Sequence, residues 1–343
     1  MIICLSMIVK NESQIILRCL NSTLSIINFL VISDTGSTDQ TSTIIENWAK
    51  ENNILYSINN ERFQNFAHNR NRVFEQTINF LQDNNVDLTQ TYILLLDADM
   101  VLKVNDKEIL STLNKDYYLL AQYDNHLTYY NVRLIRASRK WLCRGITHEF
   151  WTFGNDEHYE GDYLSQLVID DHCDGGCKSD KFDRDIRLLK LGLEELKLHP
   201  DSYLLARYYF YLALTYQYHS DYKEAIEWYE KRIALPIFSQ ERFYAIFSIA
   251  RCWHKLNNYA KASDYYIKAS LLSSERLEPI YYLAQLHNQL DNKKLVHSLL
   301  NQGKEIYKNI ASKLDDNDKY YSKSLSGHSF IEHNIYKFFS KMI

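Results

Sequence analysis

Four short apolar runs in the first hundred residues alternate with stretches of helical spacing, and this alternation constrains the fold more than any other feature. Ile2–Val9, Phe29–Ser33, Ile54–Ile58 and Thr91–Leu96 have the length and continuous hydrophobicity of buried strands. Glu12–Ser22, Thr41–Glu51 and Ala67–Asp83 carry helical spacing between them. Strand–helix alternation predicts an α/β domain with a mostly parallel, Rossmann-like sheet and helices on both faces. Such sheets bind ligands in the crevice beyond the carboxyl ends of their strands. Two acidic clusters fall at such ends, Asp34–Asp39 and Asp97–Asp99.

From Tyr117 to Ile135 two strand-like runs flank Asn125-His126, which predicts an antiparallel hairpin on the sheet edge. A polar, glycine-containing stretch follows to about Lys178, and beyond it the spacing is almost wholly helical. This second part repeats. Ala213, Tyr216, Tyr222, Ala225 and Tyr229 align with Ala250, Trp253, Tyr259, Ala262 and Tyr266 at an offset of 37 residues. Ala284 and His287 continue the pattern at a further offset of 34. Small residues where paired helices cross, with aromatics beside them, resemble the tetratricopeptide repeat. The expected division is an α/β domain over 1–178 and an all-α repeat domain over 179–343.

Composition narrows the function classes. The net charge is −4 with no basic stripe, so nucleic acid is not an expected partner. No run approaches the roughly 18 apolar residues of a membrane span. The opening MIICLSMIV lacks the basic flank and cleavage site of a signal peptide, and reads as a buried strand. Cysteines 4, 19, 143, 173, 177 and 252 are scattered as reduced thiols would be, and the expected location is cytoplasmic.

Asp97-Ala98-Asp99 closes the run TYILLL. If the strand continues through it, the two carboxylates project to one side and repel each other unless a cation sits between them. Hard oxygen ligands favour Mg²⁺ or Mn²⁺, which share phosphate oxygens with a substrate.

Six ordered segments carry a resemblance. SMIVKNE, VISDTGSTDQT, FAHNRN, LLLDADM, KWLCRGITHEF and VIDDHCDGG together resemble the family 2 glycosyltransferases of GT-A fold, in the branch fused to tetratricopeptide-like repeats. The resemblance implies a glycosyltransferase of hexosyltransferase type that takes its sugar from a nucleotide-diphosphate donor, a UDP- or GDP-sugar. Asp34 would meet the base or ribose, Lys10 and Asn11 would line the same crevice, and Arg70 and Asp97 would serve the diphosphate. Asp97, Asp99 and, by the family's late histidine, His172 would hold Mn²⁺ or Mg²⁺. Glu149 of the His-Glu motif would be the base that deprotonates a hydroxyl or thiol acceptor in an inverting reaction. Trp141 and Trp151 flank that motif as sugar platforms or as core residues. The acceptor, a protein, glycan or small molecule, would dock on the helical repeats, and a homodimer is compatible with them. Asp39 reads as a structural helix cap.

Three rival readings stand beside this one. A repeat scaffold carrying a degenerate nucleotide-sugar domain would lose its acidic and His-Glu motifs. A nucleotidyltransferase would want a glycine-rich phosphate loop, and MIVKNESQII has no glycine. Zinc held by His172, Cys173 and Cys177 would use a spacing unlike the usual four-ligand sites.

Overall fold

A computed structural model of the protein describes residues 1–123, 128–153, 158–175, 181–237, 240–311 and 333–342. It divides into two compact units, Met1–Lys181 and Phe182–Ile343. The expected boundary between residues 178 and 179 lies outside the described residues.

The first unit opens with β1 (Ile2–Val9), α1 (Ile16–Thr23), β2 (Phe29–Asp34), α2 (Thr41–Glu51), β3 (Leu55–Asn60), α3 (Phe66–Asp83) and β4 (Thr91–Leu95). It continues through β5 (Met100–Val104), β6 (Tyr117–Tyr123), β7 (Thr128–Arg136), β8 (Trp141–Arg144), β9 (Phe150–Phe153) and β10 (Gly161–Asp171). Eight strands form one sheet in the order β3-β2-β1-β4-β7-β6-β10-β5, and β8 and β9 form a separate ribbon. β1, β2, β3 and β4 pair in parallel, β7 runs against β4 and β6, β10 is parallel to β6, and β5 is antiparallel to β10.

Alternation along the strands sorts the core into two layers. Ile3, Leu5, Met7 and Val9 of β1 pack with Leu30 and Ile32 against Ile16, Leu20, Ile45 and Trp48 of α1 and α2. Cys4, Val31, Ile93 and Leu95 point the other way, against Val73 and Leu81 of α3. Ser6 would be an unpaired hydroxyl on that second face, but its Oγ lies 2.9 Å from Thr77 Oγ1 of α3. Helices therefore cover both faces, as the sequence pattern predicts.

Three features depart from the sequence reading. The 117–136 hairpin is interior rather than at an edge, because β10 adds on its outer side and β5 on β10. Helix α1 begins at Ile16 rather than Glu12: Asn11 adopts a left-handed φ of 56°, and Glu12 is held by its backbone N–H to Thr41 Oγ1 at 2.8 Å. The polar stretch to Lys178 contains β8, β9 and the eleven-residue β10. A register shift between Tyr163 and Val168 breaks the alternation in β10, so its buried residues fall at Leu164, Leu167 and Ile169.

The second unit is helical: α4 (Lys181–Leu198), α5 (Ser202–Tyr218), α6 (Tyr222–Ala234), α7 (Gln240–Lys255), α8 (Tyr259–Leu272), α9 (Glu278–Gln289), α10 (Lys293–Ala311) and α11 (His333–Ser340). The sequence repeats correspond to the antiparallel pairs α5/α6, α7/α8 and α9/α10. Ala213, Ala225, Ala250, Ala262 and Ala284 are all buried in one core, with Tyr229 and Tyr266 filling the space between turns. Asp201 accepts hydrogen bonds from the N–H groups of Tyr203 and Leu204, each at 3.0 Å, and so caps α5. Among the described residues no helix is long and apolar enough to cross a membrane.

Candidate functional site

Strand direction decides where the chemistry gathers. β1, β2, β4, β6 and β10 all run the same way, so Lys10, Asp34, Asp97, Gln122 and Asp171 stand at or beside one rim of the sheet. β4 ends at Leu95 and the chain turns back at once, with Met100 N–H donating to Asp97 O at 3.1 Å. Asp97 and Asp99 thus sit on a turn, where strand alternation no longer applies, and they have different surroundings.

Helix α3 assembles the second side. Asn65 caps it by accepting from His68 N–H at 2.8 Å. Asn71 exchanges two hydrogen bonds with the backbone of Cys143, at 2.8 and 2.9 Å, and so fastens the β8/β9 ribbon to the helix. That ribbon carries Glu149, preceded by His148 at a φ of 53°. Arg70, one residue before Asn71, joins the two sides: its Nη2 donates to Asp97 Oδ1 at 2.6 Å and its Nε to Glu149 Oε1 at 2.5 Å. Burial works against the guanidinium charge, but Asp97 and Glu149 outweigh it and raise its affinity for the proton. For Asp97 burial is likewise the largest effect, and Arg70 and Arg133 overcome it to hold the carboxyl below its usual range.

Asp99 has the opposite balance. Burial, then the charges of Asp97 and Asp171, push its carboxyl up to about 6. The segment after β10 closes over it: His172 N–H donates to Asp99 O at 3.1 Å, and Arg18 Nη1 binds Asp174 Oδ2 at 2.9 Å. A Cβ on Gly175 would lie 3.3 Å from Asp99 Oδ2 and 3.5 Å from Glu12 Oε1, so the glycine leaves room beside two carboxylates. An oxygen donor set with surplus negative charge fits a hard divalent cation. Among the described residues no group of three His, Cys, Asp or Glu side chains is arranged to hold a metal alone. Mg²⁺ and Mn²⁺ commonly complete their shells with water and substrate phosphate, so this donor set remains compatible with them. His172 itself is exposed. The thiol of Cys173 lies 3.2 Å from Asp171 Oδ1, and Cys177 lies outside the described residues.

The first acidic cluster is built into a loop. Asp34 is buried and accepts from the N–H groups of Gly36 and Ser37, at 3.0 and 2.7 Å, and from the hydroxyl of Ser42. Asn11 ties β1 to the same loop, receiving Thr38 N–H at 2.8 Å and giving its own N–H to Ser37 Oγ at 3.0 Å. Asp39 accepts from Thr41 and Ser13 and so ties the loop to the start of α2, but the N-cap itself is Gln40, one residue later than the sequence reading placed it. Trp141 is buried with its Nε1–H on Arg136 O at 3.0 Å, and Trp151 packs on Phe74. Trp141 is a core residue, and Trp151 packs partly buried against the same core.

Arg70, Asp97, Asp99 and Glu149 are thus drawn into one cluster, with His172 attached through its backbone, while Asn11 and Asp34 are hydrogen-bonded into the adjoining loop after β2 and Lys10 precedes Asn11 at the end of β1. Sequence reasoning did not find Arg133, Gln122 and Asp171. Arg133 Nη1 lies 3.6 Å from Asp97 Oδ2, and Gln122 Nε2 donates to Asp171 Oδ2 at 2.7 Å. Their one sequence signal is a charged or amide side chain inside an otherwise strand-like run.

Comparison with known proteins adds to this geometry. Residues 4–164 match the family model described as Glycosyl transferase family 2. No curated protein matches the chain. Among solved structures the chain is similar to MamA at 18% identity over 47% of this chain and 90% of that one, with a TM-score of 0.31. It is similar to SycD, the type III secretion translocator chaperone of Yersinia enterocolitica, at 14% identity over 43% and 95%, TM-score 0.31. PcrH from Pseudomonas aeruginosa gives 12% over 39% and 91%, TM-score 0.28.

Proposed function

We infer that the N-terminal unit, a glycosyl transferase family 2 domain by its match over residues 4–164, moves a sugar from a nucleotide-diphosphate donor to a hydroxyl or thiol acceptor, with inversion. The observation that carries this reading is the joining of Asp97 and Glu149 through Arg70 at the rim where the parallel strands end.

Asp99, supported by Asp97, is proposed to hold Mn²⁺ or Mg²⁺, with His172 as a further ligand. Such a cation, when bound, supplies positive charge against the leaving nucleoside diphosphate. Arg70 holds Asp97 in place and fixes the Glu149 carboxylate by the same guanidinium, so acid cluster and base keep a set spacing. Glu149 then receives the acceptor's proton as the new bond forms. Asp34 and Asn11 shape the 34–39 loop, and with Lys10 they are assigned to the base, ribose and diphosphate side of the donor. A hexosyl group, a UDP- or GDP-linked donor, an acceptor held by the helical unit, a cytoplasmic location and a homodimer complete the proposal.

Release of nucleoside diphosphate from a panel of UDP- and GDP-sugars, with and without Mn²⁺, tests it. Release from at least one donor, only with the cation present, is expected. No binding or release across the panel favours the scaffold reading instead.

A further inference from the structure

Beneath the acidic rim lies a buried amide whose orientation is set from both ends. Gln122, on β6, is 1% exposed. Its Oε1 accepts from Arg133 Nη2 at 2.9 Å, from Arg133 Nε at 3.2 Å and from Asn131 Nδ2 at 3.3 Å. Its Nε2 donates to Asp171 Oδ2 at 2.7 Å and to Tyr129 Oη at 2.8 Å. Turning the amide over would set its oxygen against a carboxylate and its NH₂ against a guanidinium, so only one orientation satisfies both ends. Arg133 continues the chain, with Nη1 on Leu95 O at 3.3 Å and 3.6 Å from Asp97 Oδ2.

We propose that Gln122, acting through Arg133, is a positioning residue that fixes Asp97 and Asp171 near Asp99 and thereby sets the affinity of this cluster for a divalent cation. The two acids come from the ends of different strands, β4 and β10, which are not neighbours in the sheet. β7 and β6 lie between them, and Arg133 and Gln122 are the side chains that span that gap. Asp171 is also held from its other oxygen, which accepts Cys173 N–H at 3.0 Å, so the amide completes its orientation. Outer partners of this kind tune metal affinity without touching the metal. The inference rests on the cation-dependent reading above.

The test titrates Mn²⁺ into the full chain and counts unbound ion by its electron paramagnetic resonance signal, with circular dichroism and thermal melting of each variant alongside. Gln122→Leu is expected to melt cooperatively yet bind Mn²⁺ about 10-fold or more weakly. A change in melting temperature with wild-type Mn²⁺ affinity means a merely structural role and overturns the inference. Should Gln122→Leu fail to fold, Arg133→Lys decides: it keeps a positive charge near Asp97 but gives up the forked donation to Gln122 Oε1. Weakened binding then supports the inference and unchanged binding overturns it. Absence of Mn²⁺ binding by the wild-type chain overturns the parent reading as well, and is distinct from wild-type binding that survives in the variants.

Discussion

At the scale of single residues, the site divides its carboxyls by their partners. Asp97 and Glu149 share Arg70, whereas Asp99 meets burial and two like charges. The base proposed at Glu149 takes a proton in the transition state; a Gln amide there can still accept from Arg70 Nε but cannot take that proton. Glu149→Gln is therefore expected to keep donor affinity within a factor of about 2 while transfer turnover falls on the order of 10² or more. Steady-state kinetics with varied donor check this, and unchanged turnover places the base elsewhere. Asp39 offers a pH test. Burial opposes its charge, but bonds from Thr41 and Ser13 prevail and hold it at about 2, below the ordinary 3.8. Its contribution is present above 3.8 and is lost as pH falls through about 2. Asp39→Asn should accordingly lower the melting temperature at neutral pH and flatten its decline between pH 4 and 2.

At the scale of elements, sequence reasoning succeeded where one period ran uninterrupted and failed where tertiary pairing intervened. β1, β2 and β4 read as buried runs because both of their faces meet helices. β10 was hidden by its bulge, and the Asp97–Asp99 geometry by a chain reversal that strand alternation does not foresee. Arg133 and Gln122 could be seen as polar positions in strands, but their partners lie on β4 and β10, and pairing across a sheet is not written in local spacing. In the helical unit, the approach to α9 carries a buried pair: Arg276 Nη2 donates to Glu278 Oε1 at 2.9 Å and Nε to Oε2 at 3.1 Å, with the guanidinium over Phe243. Removing the carboxylate takes the counter-charge from a buried guanidinium, so Glu278→Ala should cost about 3–5 kcal/mol by denaturant unfolding. Lys293→Ala removes only an exposed pair with Asp291 and should change stability by under about 1 kcal/mol.

At the scale of the whole molecule, the two units had different legibility. The repeat unit announced itself through the recurrence of alanines and aromatics at offsets of 37 and 34, because each helix pair solves the same packing problem. The α/β unit was legible as a class from alternation alone, while its candidate site needed six ordered segments to be noticed. All of the candidate site residues lie within residues 1–181. Expressed alone, that unit should keep cation-dependent donor hydrolysis, while transfer to an acceptor held by residues 182–343 should be lost. Hydrolysis and transfer assays on the separated unit check this, and loss of hydrolysis from a folded 1–181 would place part of the donor site elsewhere.

The central claim is that Asp99, at the rim of the parallel sheet, holds a divalent cation needed for departure of the nucleoside diphosphate. Donor hydrolysis by the wild-type chain and by Asp99→Ala, followed across a Mn²⁺ titration and after exhaustive chelation, tests it most directly. The account predicts release that rises with Mn²⁺ in the wild type and none from a folded Asp99→Ala. Equal release by the two proteins, or wild-type release that persists without any divalent ion, contradicts it.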